Sequence, residues 1–422
     1  MVLRQHGIAD AQVSACASRQ GAAPDAARAL DTCVAQRTRG PTVDAVGRAT
    51  VAFKGQHCAA AVVVRRLAEF LPPPERAAAF DALELRAVTR RPSATVSWLC
   101  MDPRGRVTVL PDRDEGTGTH RATAHLHAGE GRYRLQLTVD DGRGPEVAAV
   151  HDVWAGSAAT EPARPPAPPG DGADGLAEAL RLWRAREGLP SLRVDPALAG
   201  AARTRLEALR AGGALQHLDA RGMGVVQAYA AQPAAPAVAR LGEVLAAGPT
   251  PADALRGLLD SPAHRQQLAD PAFTGVGLAL ERQEALDDWL LVVTLGRPVE
   301  IPAPGQARDV VLARLNDERR RRALPPLAGD ETLAALASEH ARHVAGTREL
   351  VDTLPDGRRV ADVALAHSSA RRAGLQMYRV SRADEVGAAG AVLDGRYARA
   401  AVATVPGQGV DGLYVVVILL EP

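Results

Sequence analysis

Lysine is almost missing from this chain of 422 residues: Lys54 is the only one, and arginine carries the basic charge. Alanine is abundant as well, so this reads as compositional bias. The run Arg319 to Arg322 is therefore expected to be a solvated helix face. An excess of charge of one sign is also lacking. With 50 basic and 49 acidic residues spread along the chain and a net charge of +1, neither a nucleic-acid face nor an anchor for an acidic membrane is expected. Aromatics make up only 3%, so the cores must be built from Leu, Val and Ala. No apolar run reaches the ~18 residues of a bilayer span, which argues against a transmembrane segment. The opening Met-Val-Leu-Arg-Gln-His lacks the charged and apolar regions of an export signal, and taken literally points to the cytoplasm.

Cysteine is scarce too. Cys16, Cys33, Cys58 and Cys100 all lie in the first quarter, with no C-x-x-C pair or other metal-ligand spacing. An even number fits two disulfides in an oxidising compartment, and buried free thiols fit nearly as well.

What is present divides the chain, whose length allows two to four domains. Residues 1–82 form an α/β segment of unknown type. Helical patterns run over 9–18 and 24–36, and strands over 44–53 and 58–65 around a turn at Lys54-Gly55-Gln56. Over 83–155 the hydrophobic period becomes two, in runs at 94–100, 105–110, 120–127, 131–139 and 147–153. That spacing predicts an immunoglobulin-like β-sandwich with Trp98 in its core. Residues 156–173 are a Pro/Gly linker, and a shorter break surrounds Pro302 and Pro304.

Two segments beyond the linker resemble one another at an offset of about 135 residues. Gly188-Leu-Pro-Ser-Leu192 parallels Ala323-Leu-Pro-Pro-Leu327. In each, an Asp (Asp195, Asp330) is placed to cap the next helix. Leu258-Leu-Asp260 parallels Val392-Leu-Asp394, and both copies end in apolar strands. Domains at 174–300 and 306–422 follow.

The most informative stretch is Leu258-Leu-Asp-Ser-Pro-Ala-His-Arg265, followed by Phe273-Thr-Gly-Val-Gly277. A helix stops at Ser261-Pro262, a turn carries His264, and a strand begins through Gly275 and Gly277. This segment resembles the second histidine motif of bacterial CAP-superfamily domains (cysteine-rich secretory, antigen 5 and pathogenesis-related proteins). The rest of the pattern follows in order: Arg184 to Leu192, Leu215-Gln-His-Leu-Asp219, then Leu241-Gly-Glu-Val-Leu-Ala-Ala-Gly248. The sequence departs from that pattern at Val244, at Leu258 or Leu259, and at Gln267.

The resemblance implies an α-β-α sandwich with a small antiparallel sheet, giving an α+β multidomain chain. It also implies a cleft lined by His217, His264, Glu243 and Asp260. Such proteins are overwhelmingly secreted. Roles proposed for them include binding sterols, lipids or other small apolar ligands, and in a few cases proteolysis. An extracellular or periplasmic protein is therefore expected, engaging a small apolar ligand or an envelope or extracellular protein, with no cofactor required. His217, His264 and Glu243 could also hold Zn²⁺ or another divalent cation. Two alternatives remain: a metal-assisted or serine-type hydrolase using the same cleft, and a pure scaffold.

The second copy looks degenerate. By count, Asp352 stands at the position of His217, Leu375 near that of Glu243, and Gly395-Arg-Tyr-Ala398 at that of the histidine turn. Three other histidine groups are assigned no chemistry. His340 and His343 are expected to pack on one helix face, His125 and His127 to sit on a solvated strand face, and His367 to stand alone.

Overall fold

The structure is a computed structural model. It describes residues 13–37, 45–54, 56–64, 66–91, 94–142, 144–157, 170, 172–212, 215–219, 221–233, 235–283, 288–299 and 303–422. Most of the expected linker (158–169 and 171) and part of the second break (300–302) lie outside the described residues, as does Gly55 of the expected turn.

The first segment holds β1 (Val13–Gln20), α1 (Ala23–Arg37), β2 (Ala45–Phe53) and β3 (Gln56–Val64). The expected helix over 9–18 is a strand from Val13 on, and residues 9–12 lie outside the described residues. Cross-strand pairing decides here: β1 runs antiparallel to β3 along its whole length, and such partners outweigh a short local pattern. The sheet order is β1-β3-β2. Leu30 and Val34 of α1 pack on Cys16, Ala61 and Val63 of the sheet. A Cys16–Cys33 disulfide ties β1 to α1, whereas Cys58 and Cys100 are free. The four cysteines thus divide between the two sequence readings.

Nine strands follow: β4 (Ala68–Leu71), β5 (Arg76–Ala77), β6 (Ala82–Thr89), β7 (Thr95–Met101), β8 (Val107–Leu110), β9 (Arg113–Asp114), β10 (Thr119–His125), β11 (Gly131–Asp140) and β12 (Pro145–Ala155). They form two sheets, β4-β6-β10-β9 and β5-β12-β11-β7-β8, around one core. Leu85, Ala87, Ala122 and Ala124 of the first sheet face Trp98, Leu135, Leu137 and Val153 of the second. The Trp98 indole N–H donates to Asp112 Oδ1 at 2.9 Å. Strands β4 and β5 precede residue 83, since runs of four and two residues are too short to display a period of two.

The two copies share one plan. The first contains α2 (Ala173–Arg186), β13 (Arg193–Val194), α3 (Pro196–Gly212), α4 (Val225–Ala230), β14 (Val238–Gly248), α5 (Pro251–Asp260), α6 (Pro262–Ala269), β15 (Gly275–Gln283) and β16 (Asp288–Pro298). The second contains α7 (Pro304–Arg321), β17 (Ala328–Gly329), α8 (Ala334–Thr347), α9 (Val360–Ala366), β18 (Arg372–Val380), β19 (Arg399–Pro406) and β20 (Leu413–Glu421). Their sheets run β13-β15-β16-β14 and β17-β19-β20-β18, the same order for corresponding strands. Asp195 accepts from the amides of Ala197 and Leu198 and caps α3 as expected, whereas Asp330 accepts from those of Thr332 and Leu333 in the turn before α8, whose N-cap is Leu333.

Arg319 corrects the expectation of a solvated arginine face. It is fully buried, while Arg320, Arg321 and Arg322 are exposed. Its guanidinium donates to the carbonyls of Pro325, Val392, Asp394 and Tyr397. In the first copy Arg184 donates likewise to the carbonyls of Pro190, Leu268 and Asp270. One arginine per copy therefore clamps the Leu-Pro loop to the segment that enters the sheet.

These clamps also correct the internal alignment. Asp394 occupies the place of Asp270, not Asp260, because each is bound by its copy's arginine just before the next strand. Between β18 and β19 the second copy has only short 3₁₀ turns at Ala383–Glu385 and Gly390–Leu393. The α5–α6 pair, with its histidine, has no counterpart there. Gly395 to Ala398 is consequently not a remnant of the histidine turn.

Candidate functional site

The site begins with α3. Leu198, Ala202, Leu206 and Leu209 form its apolar stripe, and Arg205 lies within that stripe, 2% exposed. The helix is drawn close to the sheet at Gly277, where a Cβ would lie 2.1 Å from the Ala199 amide nitrogen. Thr294 Oγ1 donates to the Leu198 carbonyl at 2.7 Å and fixes the same contact.

Arg205 reaches Glu243 on β14, with Nε to Oε2 at 2.8 Å, both side chains buried. A buried guanidinium–carboxylate pair survives desolvation only when its remaining hydrogen-bonding groups are met. Here they are, since Arg205 also donates to the carbonyls of Gln216, His217 and Met223. The arginine thereby holds the loop that carries His217. The His217 Nδ1–H donates to Glu243 Oε1 at 2.9 Å, which fixes the ring's orientation and leaves Nε2 outside that bond. The His217 side chain keeps 20% of its exposure.

Pro262 opens an eight-residue helix, α6, so His264 stands in a first helical turn and not in the expected loop turn. Proline is tolerated there because that position needs no amide donor. Ser261 caps the helix by backbone position only. Its hydroxyl donates instead to Gln136 Oε1 on β11, at 2.9 Å. His264 is half-buried, and burial together with the charge of nearby His217 lowers its pKa to about 4. The ring is therefore neutral at physiological pH. A guanidinium and a carboxylate lie behind one imidazole, and a second, uncharged imidazole lies within its electrostatic reach.

Asp260 does not join this group. Its carboxylate has no hydrogen bond or ion pair with Glu243 or either histidine, and its carbonyl accepts from Arg134 at 3.0 Å. Among the described residues, no group of three His, Cys, Asp or Glu side chains is placed to hold a metal ion. Glu243, the carboxylate that His217 bonds, is already paired with Arg205.

Sequence reasoning missed Arg205, although an arginine inside an apolar helical stripe was a readable signal. It also missed contacts from the β-sandwich. Gln136 meets Ser261 and Ala263, Arg134 meets Asp260, and Gly105 accepts from Arg265 at 2.8 Å. Gly144, at φ +93°, sits so close that a Cβ would lie 2.9 Å from the His217 Cβ. In the second copy, buried His340 takes the helical position of Arg205, with its pKa lowered by burial. His343 lies beside it on the same helix, His125 and His127 stack on an exposed strand end, and His367 Nδ1 bonds the Val363 carbonyl.

The fold class is thus a mixed α/β chain with two topologically equivalent copies. It belongs to the CAP family: the profile described as "Cysteine-rich secretory protein family" matches residues 178–295 and 312–417, more than half of the chain. No curated protein matches it. Among solved structures, an outer surface protein from Borrelia burgdorferi is 20% identical, with a TM-score of 0.27 over 29% of this chain and 90% of its own. An extracellular protein containing an SCP domain from Bacillus anthracis is 15% identical, with a TM-score of 0.26 over 53% and 84%. A cysteine-rich secretory protein from Staphylococcus aureus is 11% identical, with a TM-score of 0.25 over 63% and 90%. Membership rests on the profile match, and these three likenesses carry no argument about the site.

Proposed function

We propose that this is an extracellular or envelope-associated bacterial binding protein, in which an immunoglobulin-like sandwich accompanies two CAP domains. Only the first of them bears a ligand-engaging cleft. The observation that carries this reading is the ordered His217–Glu243–Arg205 chain, beside a neutral His264. It presents an oriented imidazole Nε2, suited to hydrogen-bond the hydroxyl or amide head of a small, otherwise apolar ligand. Export is supported by the Cys16–Cys33 disulfide, which needs an oxidising compartment. No helix among the described residues is long and apolar enough to cross a membrane.

The serine-type alternative finds no support at Ser261. The Ser261 hydroxyl is held by Gln136, not by an imidazole, whereas serine catalysis needs a base in hydrogen-bond reach. A zinc reading would require Arg205 to release Glu243, at the cost of an uncompensated buried charge.

Calorimetric titration of the full chain with a sterol, with oleate and with zinc chloride, alongside an ester-hydrolysis assay, tests these readings together. Sterol or oleate binding weakened at least about tenfold in His217→Ala, with no turnover, is the expected result. Zinc binding at one equivalent that disappears in His264→Ala, accompanied by turnover, would replace the proposal with the enzymatic reading. No binding of any probe would leave a scaffold.

A further inference from the structure

Strand β11 departs from the rule for a sandwich strand. One face should meet the core and the other water, giving alternate burial. Instead Arg134, Gln136 and Thr138, which point away from the core, are as buried as Leu135, Leu137 and Val139, which point into it. What covers that outer face is α6, the helix of His264, which also rests on β7 and β8. The contact is made by polar groups with specific partners. Gln136 Oε1 accepts from the Ser261 hydroxyl at 2.9 Å and from the Ala263 amide at 3.5 Å. Arg134 clasps Asp152 with two nitrogens and reaches the Asp260 carbonyl with the third. At the far end of β11, the turn into β12 sets Gly144 against His217. β11 thus meets the two residues on either side of Pro262, just before His264, and the turn that follows β11 meets His217.

We propose that the sandwich is a built-in wall of the histidine cleft, in which Gln136 is the positioning residue for His264 and Gly144 closes over His217. The functional unit is then the sandwich together with the first CAP domain, not that domain alone. Polar contact of this kind suits a wall that can yield to an entering molecule, since an interface rich in hydrogen bonds reopens to water at less cost than an apolar one. The second copy, which lacks the α5–α6 pair, has nothing equivalent for a sandwich to hold. The proposal deepens the binding reading and rests on it, but its test needs no ligand.

The test uses diethyl pyrocarbonate on the full chain, with carbethoxylation followed for each histidine by peptide mass spectrometry. Exposed His125 and His127 serve as internal references for reagent activity. Gln136→Leu is expected to raise the His264 labelling rate about tenfold, the shift that follows from losing one buried hydrogen bond. Gln136→Glu, which keeps an acceptor for Ser261, is expected to restore slow labelling. Gly144→Ala is expected to raise His217 labelling in the same way, through the clash at its Cβ. Unchanged His264 labelling in Gln136→Leu would overturn the proposal. So would a parallel rise at His120, buried inside the sandwich, because that would mark unfolding and not an opened wall.

Discussion

Glu243 accepts from two side chains of different character, and the difference organises the site. Arg205 is a permanent cation that anchors the carboxylate, while His217 uses the same carboxylate to fix its tautomer. His264 stays neutral because partial burial, and to a lesser degree the charge on His217, disfavour its protonated form. Its pKa near 4, against about 6.5 in the unfolded chain, makes stability pH-dependent with a definite sign. Above pH 6.5 the ring is neutral in both states and costs nothing. As pH falls through 6.5 toward 4, the unfolded chain takes up a proton that the folded one refuses, and stability drops by roughly 3 kcal/mol at most. Urea denaturation of the full chain at pH 7.0 and pH 4.5 should show this loss, and His264→Gln should remove most of it. An equal loss in both proteins would assign the acid sensitivity elsewhere. At this scale the sequence named His217, Glu243 and His264 through ordered motifs. It could not show that Asp260 makes no bond to them, because proximity along the chain does not determine which way a carboxylate points.

Elements are joined by arginine in both copies. Arg184 and Arg319 are charged residues at the end of a helix, where composition suggests solvent, yet each sits under a loop whose carbonyls have no strand partner. The guanidinium is suited to this because its donors fan out in one plane and reach several carbonyls at once. Arg319→Ala is expected to destabilise the second copy by about 3 kcal/mol, by leaving buried acceptors unmet, whereas exposed Arg320→Ala should change stability by less than about 0.5 kcal/mol. Hydrogen exchange over residues 390–400 reports the difference locally, and equal protection in the two variants would contradict it. The repeated Leu-Pro turn was legible because proline and leucine mark the chain locally. The arginine's role was not, since three of its four acceptors lie more than seventy residues away. The same limit applies to β1, whose partner is the distant β3.

For the molecule as a whole, covalent and non-covalent stability are distributed unevenly. The α/β segment before the sandwich has a small core of Cys, Ala, Val and Leu, and the single disulfide lies there. Closing a loop of this length is worth about 3 kcal/mol in chain entropy. Reduction, or the Cys16→Ser and Cys33→Ser pair, should unfold residues 13–64 while leaving the sandwich and both CAP copies folded. Limited proteolysis of the reduced protein followed by mass spectrometry checks this, and intact 13–64 under reducing conditions would refute it. Alkylation of native protein should label Cys58 and leave Cys16 and Cys33 unmodified.

Local spacing in the chain was enough to reveal the period-two region, the tandem copies and the order of the family motifs. Each of these is written in local spacing, and spacing survives unfolding. Tertiary structure alone decided that Arg205 stands behind Glu243, that the arginine clamps lock each copy, and that the outer face of β11 lies under α6. Periodicity tells which residues leave water, but the group that replaces the water comes from another part of the chain. That choice is made only when distant elements close on one another.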